Sequence, residues 1–389
     1  MQSPTPTHYL ALLVVRRGWG HHGQLGIAGV PLSHTKSGYF PAPVQMPEGD
    51  EQVVDLGCGH FHAFARTAKG NVYGWGMNEH HQLFGEHNDN VDTPRLLNPM
   101  LPFLAHEPPP QVKKMAGSGV TSALLVAHHD RTELWTWGSS IKVVGLEGEE
   151  IIDFGLGWGH GLALTASKKL FVWGWGKNGQ LGLGNYDNQP VPAQVTALSG
   201  VPIRSLAVGP DCSAVVSEEG QVYFWGRNEY WMQIKVAWTK GGETMGECAP
   251  IHIAFPDKAP RMRQASLRQV RCGYGHLVAV DEEGQAWAWG LNKNGQLGLG
   301  DKEEHQEPRP VAFFREENLK VAYVSCGRVH TVFLTDDGRL WTCGSGVYGR
   351  LGHGDKEDQI VPTLVESLAD SRVTQVECGY DFNLALLHV

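Results

Sequence analysis

Residues Trp173 to Gly184 read W-G-W-G-K-N-G-Q-L-G-L-G, and the chain writes versions of this stretch along its whole length. Trp289 to Gly298 repeats it almost letter for letter, and Gly18 to Gly26 repeats its second half. Degraded copies begin at Trp75-Gly76, Trp137-Gly138, Trp225-Gly226 and Cys343-Gly344. Self-similarity at a spacing of roughly 40 to 65 residues indicates a solenoid or a propeller.

A second signature precedes each copy: a small residue, Gly, two variable residues, often His, and then an alternating apolar run. Turn residues such as Lys69-Gly70 separate the two signatures. Each unit therefore predicts a strand, a tight turn and a strand. The second signature begins at Cys58-Gly59, Ala116-Gly117, Leu156-Gly157, Val208-Gly209, Cys272-Gly273, Cys326-Gly327 and Cys378-Gly379.

The two ends of the chain carry complementary half-units. The chain opens with a second half at Gly18 and finishes with a first half at Cys378. We therefore expect residues 372–389 to pair with an N-terminal strand near Leu10 to Val15, so that both termini complete one blade. This pairing would close a seven-bladed ring, which leaves only short, protected strand edges.

The two signatures resemble those of the regulator of chromosome condensation family, whose repeat contains C-G-x-x-H-T-x-A-L and W-G-x-N-x-x-G-Q-L-G. The resemblance covers nearly the whole chain. With the repeats it predicts an all-β fold: one seven-bladed β-propeller over residues 1–389, with an irregular insertion at 227–269 and a Pro-rich loop at 97–111. The expected structural repeat positions are Gly18, Gly59, Trp75, Gly76, Trp137, Gly138, Trp175, Gly176, Trp225, Gly226, Trp289, Gly290 and Gly344.

Composition narrows the class of protein. The formal charge of −9 argues against direct nucleic-acid binding, because phosphate contacts need clustered Lys and Arg. The apolar run Leu10 to Val15 is too short to span a membrane, and Arg16-Arg17 follow it where a signal peptide would place its charges first. Cysteines at the same repeat position of different blades should lie too far apart to form disulfides. We expect them to be small, buried apolar residues of a protein in a reducing compartment. We expect a soluble, intracellular protein.

No motif in the chain predicts catalysis, a cofactor or a metal. The G-x-G-x-x-G matches, such as Gly174 to Gly179, open no helix that could bind a pyrophosphate. Equivalent histidines such as His62 and His330 should lie a blade apart, whereas zinc ligands lie about 2.0 to 2.3 Å from one atom. We expect these histidines to be buried and hydrogen-bonded to neighbouring backbone.

Departures from the repeat are the candidate binding sites, since loops on a rigid scaffold carry function. Residues 138–151 lack the G-Q-L-G turn, which predicts a shortened third blade. Residues 26–50 are interpreted as a long connector, with a contact loop as the alternative. The insertion has an aromatic and cationic composition that is typical of interface hot spots, although its aromatic residues could equally repack the blade. The candidate partner-binding residues are Tyr230, Trp231, Met232, Lys235, Trp238 and Lys240 in the insertion, with Phe103 and Leu104 in the Pro-rich loop.

Two functions remain open from the sequence. The first is a non-enzymatic protein-binding scaffold or adaptor subunit, monomeric within an intracellular complex; the resemblance implies it, because relatives serve as partner-binding subunits. The second is guanine-nucleotide exchange on a Ran-like small GTPase, the best-known activity of the family. The chain shows no clear wedge for prising open a nucleotide site, and no exchange residue can be matched position by position.

Overall fold

The structure is built from antiparallel β-sheets arranged around a central channel. A computed structural model describes residues 8–13, 22–26, 40–49, 52–84, 87–101, 110–138, 143, 145–227, 239–240, 243–244, 246–253 and 267–388. Within these ranges the strands form six four-stranded sheets, one three-stranded sheet and a two-stranded hairpin. The prediction of an all-β propeller is confirmed. The predicted number of seven blades was wrong for complete blades, since the described residues form six four-stranded sheets. The unit predicted as a shortened third blade forms only three strands and is called sheet 2 below.

The chain completes one sheet before it enters the next. The first two described strands, β1 (His8–Leu13) and β2 (Ala42–Pro43), belong to the last sheet. Sheet 1 contains β3 (Val53–Cys58), β4 (His62–Thr67), β5 (Val72–Gly76) and β6 (Val91–Leu96). Sheet 2 contains β7 (Gln111–Gly117), β8 (Thr121–Ala127) and β9 (Thr132–Gly138). Sheet 3 contains β10 (Ile151–Leu156), β11 (His160–Thr165), β12 (Leu170–Gly174) and β13 (Gln189–Gln194).

The second half of the chain repeats this order. Sheet 4 contains β14 (Ile203–Val208), β15 (Cys212–Ser217), β16 (Val222–Gly226) and β19 (Glu247–Ile253), with the hairpin β17 (Thr239–Lys240) and β18 (Glu243–Thr244) between the last two. Sheet 5 contains β20 (Leu267–Cys272), β21 (His276–Asp281), β22 (Ala286–Gly290) and β23 (His305–Pro310). Sheet 6 contains β24 (Val321–Cys326), β25 (His330–Thr335), β26 (Leu340–Gly344) and β27 (Gln359–Leu364), and sheet 7 joins β28 (Arg372–Cys378) and β29 (Asn383–His388) to β1 and β2.

Helical structure is confined to connections. The described residues contain one short helix, α1 (Ala312–Glu316), after β23. Single 3₁₀ turns occur at Asn98–Met100, Thr196–Leu198, Val347–Gly349 and Glu366–Leu368. Within the predicted insertion range 227–269, Glu247–Ile253 forms the outer strand of sheet 4, with a register shift in its pairing to β16.

The N-terminal and C-terminal strands lie side by side in sheet 7. β1 pairs with β29 in antiparallel register, from His8 opposite His388 to Leu13 opposite Asn383. The first strand of each sheet contacts the first strand of the next, in the order β3, β7, β10, β14, β20, β24 and β28, and β28 contacts β3. The inner strands thus surround the channel.

Outer strands carry proline, which suits a sheet edge. Proline cannot donate to a strand ladder and is confined to edges or bulges, where it discourages pairing with other chains. Each four-stranded sheet has at least one proline in its outer strand: Pro43, Pro94, Pro190, Pro192, Pro250, Pro308, Pro310 and Pro362.

The glycine of the C-G-x-x-H signature is required by close packing of the histidine ring. A Cβ added at Gly59 would lie 2.2 Å from the His62 ring, and one added at Gly327 would lie 1.9 Å from the His330 ring. In sheet 2 the residue equivalent to His62 is Thr121, which is smaller, and the residue equivalent to Gly59 is Ser118. The Ser118 N–H donates to the Thr121 carbonyl, as the Gly59 N–H donates to the His62 carbonyl. The sequence alignment of that signature at Ala116-Gly117 was therefore one residue too early.

Each buried signature histidine is hydrogen-bonded to a side chain of the next sheet, an arrangement that we call the histidine latch. His62 Nε2 lies 2.8 Å from Ser122 Oγ, and Ser122 Oγ donates to the Gln82 carbonyl at 2.8 Å. The expected backbone hydrogen bond acts on His160, from Cys212, and on His276, from His330. His62 and His330 differ from the expectation, because the polar side chain of the next sheet lies between the ring and the carbonyl. The latch pairs are His62–Ser122, His160–Ser213, His276–Thr331 and His330–Asn383.

The residue types at the two latch positions match from sheet to sheet. Where the first sheet lacks histidine, the next sheet supplies no polar group. The non-histidine pairs are Thr121 with Gly161, Cys212 with Leu277, and Phe382 with Ala63. An unpaired buried polar group costs free energy, so this matching favours the observed order of neighbouring sheets.

The latch fixes a neutral histidine. Because the Ser122 hydroxyl hydrogen is directed to the Gln82 carbonyl, the hydroxyl oxygen accepts from His62 Nε2–H, and Nδ1 is left without a hydrogen bond. A proton on Nδ1 would be buried with no acceptor. Burial accordingly lowers the pKa to about 3 at each of His62, His160, His276 and His330.

Register also identifies the repeat tryptophan of sheet 3. Trp75 lies opposite Ala63, and the equivalent residue opposite Gly161 is Trp173. Trp175 and its neighbour Gly176 follow the end of β12, and Trp175 is 57% exposed. The sequence placed the repeat position two residues too late, because W-G-W-G offers the same dipeptide twice.

Removing residues 372–389 should abolish cooperative folding, because it deletes β28 and β29 and leaves β1 paired only with β2. Thermal unfolding followed by far-ultraviolet circular dichroism should lose its sigmoidal transition. Adding a synthetic peptide of residues 372–389 should restore part of that transition. A truncated chain that melts cooperatively at the wild-type temperature would contradict this expectation.

Acid should destabilise the fold between about pH 6.5 and pH 3. A folded-state pKa near 3, below the unfolded value of about 6.5, gives stability that is complete above pH 6.5 and is lost as the pH falls. Each latch histidine should contribute a slope of about 1.4 kcal/mol per pH unit to the free energy of unfolding. Urea unfolding at pH 7.5, 6.0 and 5.0 measures this slope. His62→Gln should lower this slope by about 1.4 kcal/mol per pH unit, and an unchanged slope would contradict the expectation.

Candidate protein-binding face

One mouth of the central channel is ringed by the first variable residue of every C-G-x-x-H signature, and we call this ring the collar. Each collar residue follows directly after an inner strand, so the rigid strands fix where its side chain starts. The inner strands run in the same direction, which brings the collar residues to one face of the molecule. The collar consists of His60, Gly119, Trp158, Pro210, Tyr274, Arg328 and Tyr380.

Backbone hydrogen bonds join neighbouring collar segments. Tyr274 N–H donates to the Arg328 carbonyl at 3.2 Å, Arg328 N–H to the Tyr380 carbonyl at 2.9 Å, and Tyr380 N–H to the His60 carbonyl at 3.0 Å. Trp158 N–H donates to the Pro210 carbonyl at 2.8 Å. Pro210 itself has no N–H to donate onward. The collar backbone is therefore fixed before any ligand arrives.

Aromatic rings cluster on this backbone. The His60 ring centroid lies 5.2 Å from that of Trp158 and 5.1 Å from that of Tyr380. Gly119 lies between His60 and Trp158, where a Cβ would be 3.2 Å from His60 Nδ1. Burial lowers the pKa of His60 to about 4, so the ring stays neutral near pH 7. Trp158 and Tyr274 remain 36% and 38% exposed and present ring faces to solvent.

A cluster of two arginines and one aspartate completes the collar face. Arg328 lies over the Tyr380 ring at 5.0 Å and pairs with Asp381 at 3.2 Å. Arg350, which occupies the glutamine position of the G-Q-L-G turn, pairs with the same Asp381 oxygen at 2.9 Å. Arg350 is 1% exposed, and burial lowers its pKa. Two arginines thus share the Asp381 carboxylate, and the Asp358 carboxylate also acts on Arg350.

The channel beneath the collar has a volume of about 330 Å³ and is lined by charged groups that pair with one another. Lys114 Nζ lies 2.6 Å from Asp153 Oδ1. Arg271 donates to Tyr323 Oη at 3.0 Å, and Tyr323 donates to Glu377 Oε1 at 2.9 Å. Burial raises the pKa of Glu377. Because these partners satisfy one another, the channel wall stabilises the ring of strands.

No metal or thiol chemistry is evident at this face. In the part of the chain that the structure describes, no group of three or more His, Cys, Asp or Glu side chains is arranged to hold a metal ion. All seven cysteines are free thiols. Burial raises the pKa of Cys58 and Cys378, which makes them poor nucleophiles near neutral pH.

Nearly all of the partner-binding residues predicted from the sequence lie outside the described structure. Tyr230, Trp231, Met232, Trp238, Phe103 and Leu104, and also Lys235, lie outside the described residues. Lys240 contributes backbone to β17. The insertion leaves β16 and returns through β19 at the collar face, whereas β6 ends and β7 begins at the opposite face. The two predicted sets are therefore attached to opposite faces.

The sequence contained a signal for the collar that went unused. When the copies of the second signature are stacked, the first variable position holds an aromatic ring in four of them: His60, Trp158, Tyr274 and Tyr380. These rings differ in residue type, so the repeat consensus shows this position only as variable.

The fold and collar define a β-propeller of repeated two-signature units that presents a preformed aromatic face. Comparison with known families agrees: the RCC1-like domain model matches residues 140–388, and the regulator of chromosome condensation (RCC1) repeat model matches residues 53–82. The chain belongs to the family of RCC1-like domains.

Curated relatives share part of the chain. The ultraviolet-B receptor UVR8 of Arabidopsis thaliana is 34% identical over 238 residues, which cover 61% of this chain and 51% of the receptor. The mitochondrial RCC1 domain-containing protein RUG3 of the same plant is 30% identical over 270 residues, covering 65% of this chain and 59% of RUG3. The chain thus spans about half to three fifths of the length of these relatives.

Solved structures share the fold over nearly the whole chain. Human WBSCR16 superposes with a TM-score of 0.80 at 22% identity and covers 99% of both chains. Prp20p of Saccharomyces cerevisiae, whose structure is reported with its binding properties to Gsp1p and histones, superposes with a TM-score of 0.79 at 19% identity over 98% of this chain and 91% of Prp20p.

Within the described ranges, no helix is both long and apolar enough to cross a membrane.

The arginine and aspartate cluster can be tested by a double-mutant cycle. Asp381→Asn should cost about 3 kcal/mol of unfolding free energy, because it leaves the buried Arg350 cation without its carboxylate. In an Arg350→Gln background, which restores the residue usual at this repeat position, the same change should cost less than about 1 kcal/mol. Urea unfolding of the four proteins measures the coupling. Additive costs would show that the pair does not interact.

Proposed function

We propose that this chain is a non-enzymatic protein-binding scaffold, an adaptor subunit of an intracellular complex, and that its partner docks on the collar face. The observation that carries the proposal is the set of exposed rings and arginine held at the channel mouth by the inner strands. Trp, Tyr and Arg are the residues most enriched at interface hot spots. The collar presents all three within one face.

Preorganisation favours binding at this face. The rings already contact one another, and the collar backbone is hydrogen-bonded from segment to segment, so little conformational entropy remains to be lost when a partner docks. Arg328, whose side chain is 35% exposed, fits a partner with an acidic group beside an apolar centre.

The insertion is proposed to extend the same interface. Tyr230, Trp231, Met232, Trp238 and their neighbours Lys235 and Lys240 belong to a segment whose flanking strands both end at the collar face. Phe103 and Leu104 belong to a loop between strands that meet at the opposite face, and we propose them as a separate, second contact surface.

Nucleotide exchange on a Ran-like small GTPase is the alternative, raised by the fold shared with Prp20p, whose structure is reported with Gsp1p binding. An acidic surface would suit a basic GTPase, whereas the seven collar residues include no Asp or Glu. This composition supports the scaffold over the exchange factor.

We also propose that the three-stranded sheet 2 serves as a seventh, incomplete blade, so that residues 1–389 form one closed propeller. The contact between β28 and β3 and the pairing of β1 with β29 support closure. Sheet 2 lies between sheets 1 and 3 in this circuit, and its inner strand β7 contacts both neighbours.

Truncating collar anchors should weaken partner binding while the fold is retained. Affinity capture from a native extract, followed by titration with the purified partner, should show that Trp158→Ala and Tyr274→Ala each cost about 2 kcal/mol, or roughly thirtyfold in Kd. Trp231→Ala and Trp238→Ala test the insertion. Ile152→Ala, an exposed apolar side chain at the far end of β10, is the control and should bind normally.

The same proteins distinguish the alternative function. Nucleotide release from a panel of Ran-like GTPases should not be accelerated by a scaffold. Acceleration by several orders of magnitude that is lost in Trp158→Ala would replace the scaffold proposal with exchange activity. Wild-type affinity in all four alanine variants would show that the partner does not use the collar or the insertion.

A further inference from the structure

In the complete units, the turn of one sheet accepts the indole N–H of the next. Trp75 Nε1 donates to the Gln24 carbonyl at 3.1 Å, and Trp225 Nε1 donates to the Gln180 carbonyl at 2.9 Å. Trp137 Nε1 donates to the Gln82 carbonyl at 2.6 Å. The G-Q-L-G turn of one sheet therefore caps the tryptophan of its neighbour.

Sheet 3 follows a sheet that lacks the G-Q-L-G turn. Residues 139–150 alone join β9 to β10, whereas residues 175–202 make the equivalent connection in sheet 3. Within the described residues, Trp173 Nε1 makes no hydrogen bond. The latch position of sheet 3 holds Gly161, and the Trp173 ring packs over it, since a Cβ there would lie 2.3 Å from Cζ2.

A groove of about 390 Å³ opens at this junction, and we call it the Trp173 groove. Trp173 and His160 line it from sheet 3, and Trp158 and Trp175 stand beside it with 36% and 57% of their surfaces exposed. The Trp175 ring rests on Gly159, where a Cβ would lie 2.6 Å from Cδ2. Since Trp158 is a collar residue, the groove is continuous with the collar face.

The groove wall carries no charge at neutral pH. Its described lining contains no Asp, Glu, Lys or Arg, and burial holds the pKa of His160 at about 3. Its polar groups are hydroxyls, amides and the Trp173 indole. Such a wall does not recognise a phosphate or a carboxylate, but it suits backbone amides and an aliphatic side chain.

We propose that the Trp173 groove binds a glycine-containing reverse turn of a partner protein, one that carries an aliphatic side chain and places a backbone carbonyl on Trp173 Nε1. The template is the chain's own Gly179 to Gly182 turn, in which the Gln180 carbonyl caps Trp225 and Leu181 is buried. The partner thereby supplies in trans what sheet 2 lacks. The proposal rests on the proposed function only in taking the ligand to be a protein.

The test uses the full chain and a cyclic peptide that holds the sequence of residues 177–184, Lys-Asn-Gly-Gln-Leu-Gly-Leu-Gly. Titration followed by tryptophan fluorescence, and by the indole N–H signals of ¹⁵N-tryptophan-labelled protein, should show saturable binding and a shift of the Trp173 indole signal. Trp173→Phe should weaken binding at least tenfold. Trp341→Phe is the matched control, since Trp341 is similarly buried and its Nε1 also lacks a hydrogen bond.

A second variant and a second peptide test the proposal if Trp173→Phe fails to fold. Trp175→Ala changes an exposed side chain and should also weaken peptide binding, and a peptide with aspartate in place of its first leucine should not bind. Absence of saturation, or equal binding by wild type and both variants, would overturn the proposal. That result would leave the collar intact as a docking face, because the affinity of the purified partner is measured separately.

Discussion

One backbone carbonyl in each G-Q-L-G turn holds neighbouring sheets together. The Gln180 carbonyl accepts from both Ser213 Oγ and Trp225 Nε1 of the next sheet, and Ser213 in turn accepts from His160 of the first. Each link alone contributes about 1 kcal/mol, but leaving any of these buried groups unpaired would cost about 1–3 kcal/mol. The carbonyl therefore acts mainly by making other arrangements of neighbouring sheets unfavourable. Arg350 shows that the backbone matters more than the side chain, since its carbonyl accepts from Asn383 in the same way.

The latch explains several residue choices at once. A neutral ring packed against backbone requires glycine at Gly59 or Gly327, and a donor at Nε2 requires a hydroxyl or amide oxygen on the next sheet. The same burial that makes the interaction specific makes it sensitive to acid, because burial disfavours the protonated ring. Where the ring is replaced, as at Phe382, the facing position becomes Ala63 and the junction is apolar. The junctions thus differ in chemistry, and the order of the sheets is fixed by matching pairs.

Much of the fold was predictable from the sequence because the unit is local: two strands and a turn lie within about twenty residues and are written repeatedly. The shortened third unit was predictable from the missing turn. What failed depended on register or on partners distant in sequence. W-G-W-G gives no means of choosing Trp173 over Trp175 until β12 is paired with β11. The Ser122 partner of His62 lies sixty residues away, in a different sheet. The collar needed the ring itself, since His60 and Tyr380 meet only when sheets 7 and 1 are neighbours.

The same network separates the parts of the chain that can vary from those that cannot. Inner strands and turns are held by latch and carbonyl, so the first variable residue of each signature can change without disturbing them. That freedom allows Trp158, Tyr274 and Arg328 to occupy equivalent places around one mouth. Sheet 2 departs further, because it gives up its turn, and its neighbour loses the cap on Trp173. A ring of sheets can tolerate one weak junction when hydrogen bonds join the other sheets. The exposed tryptophans lie at this junction, where a partner could supply the carbonyl that Trp173 lacks.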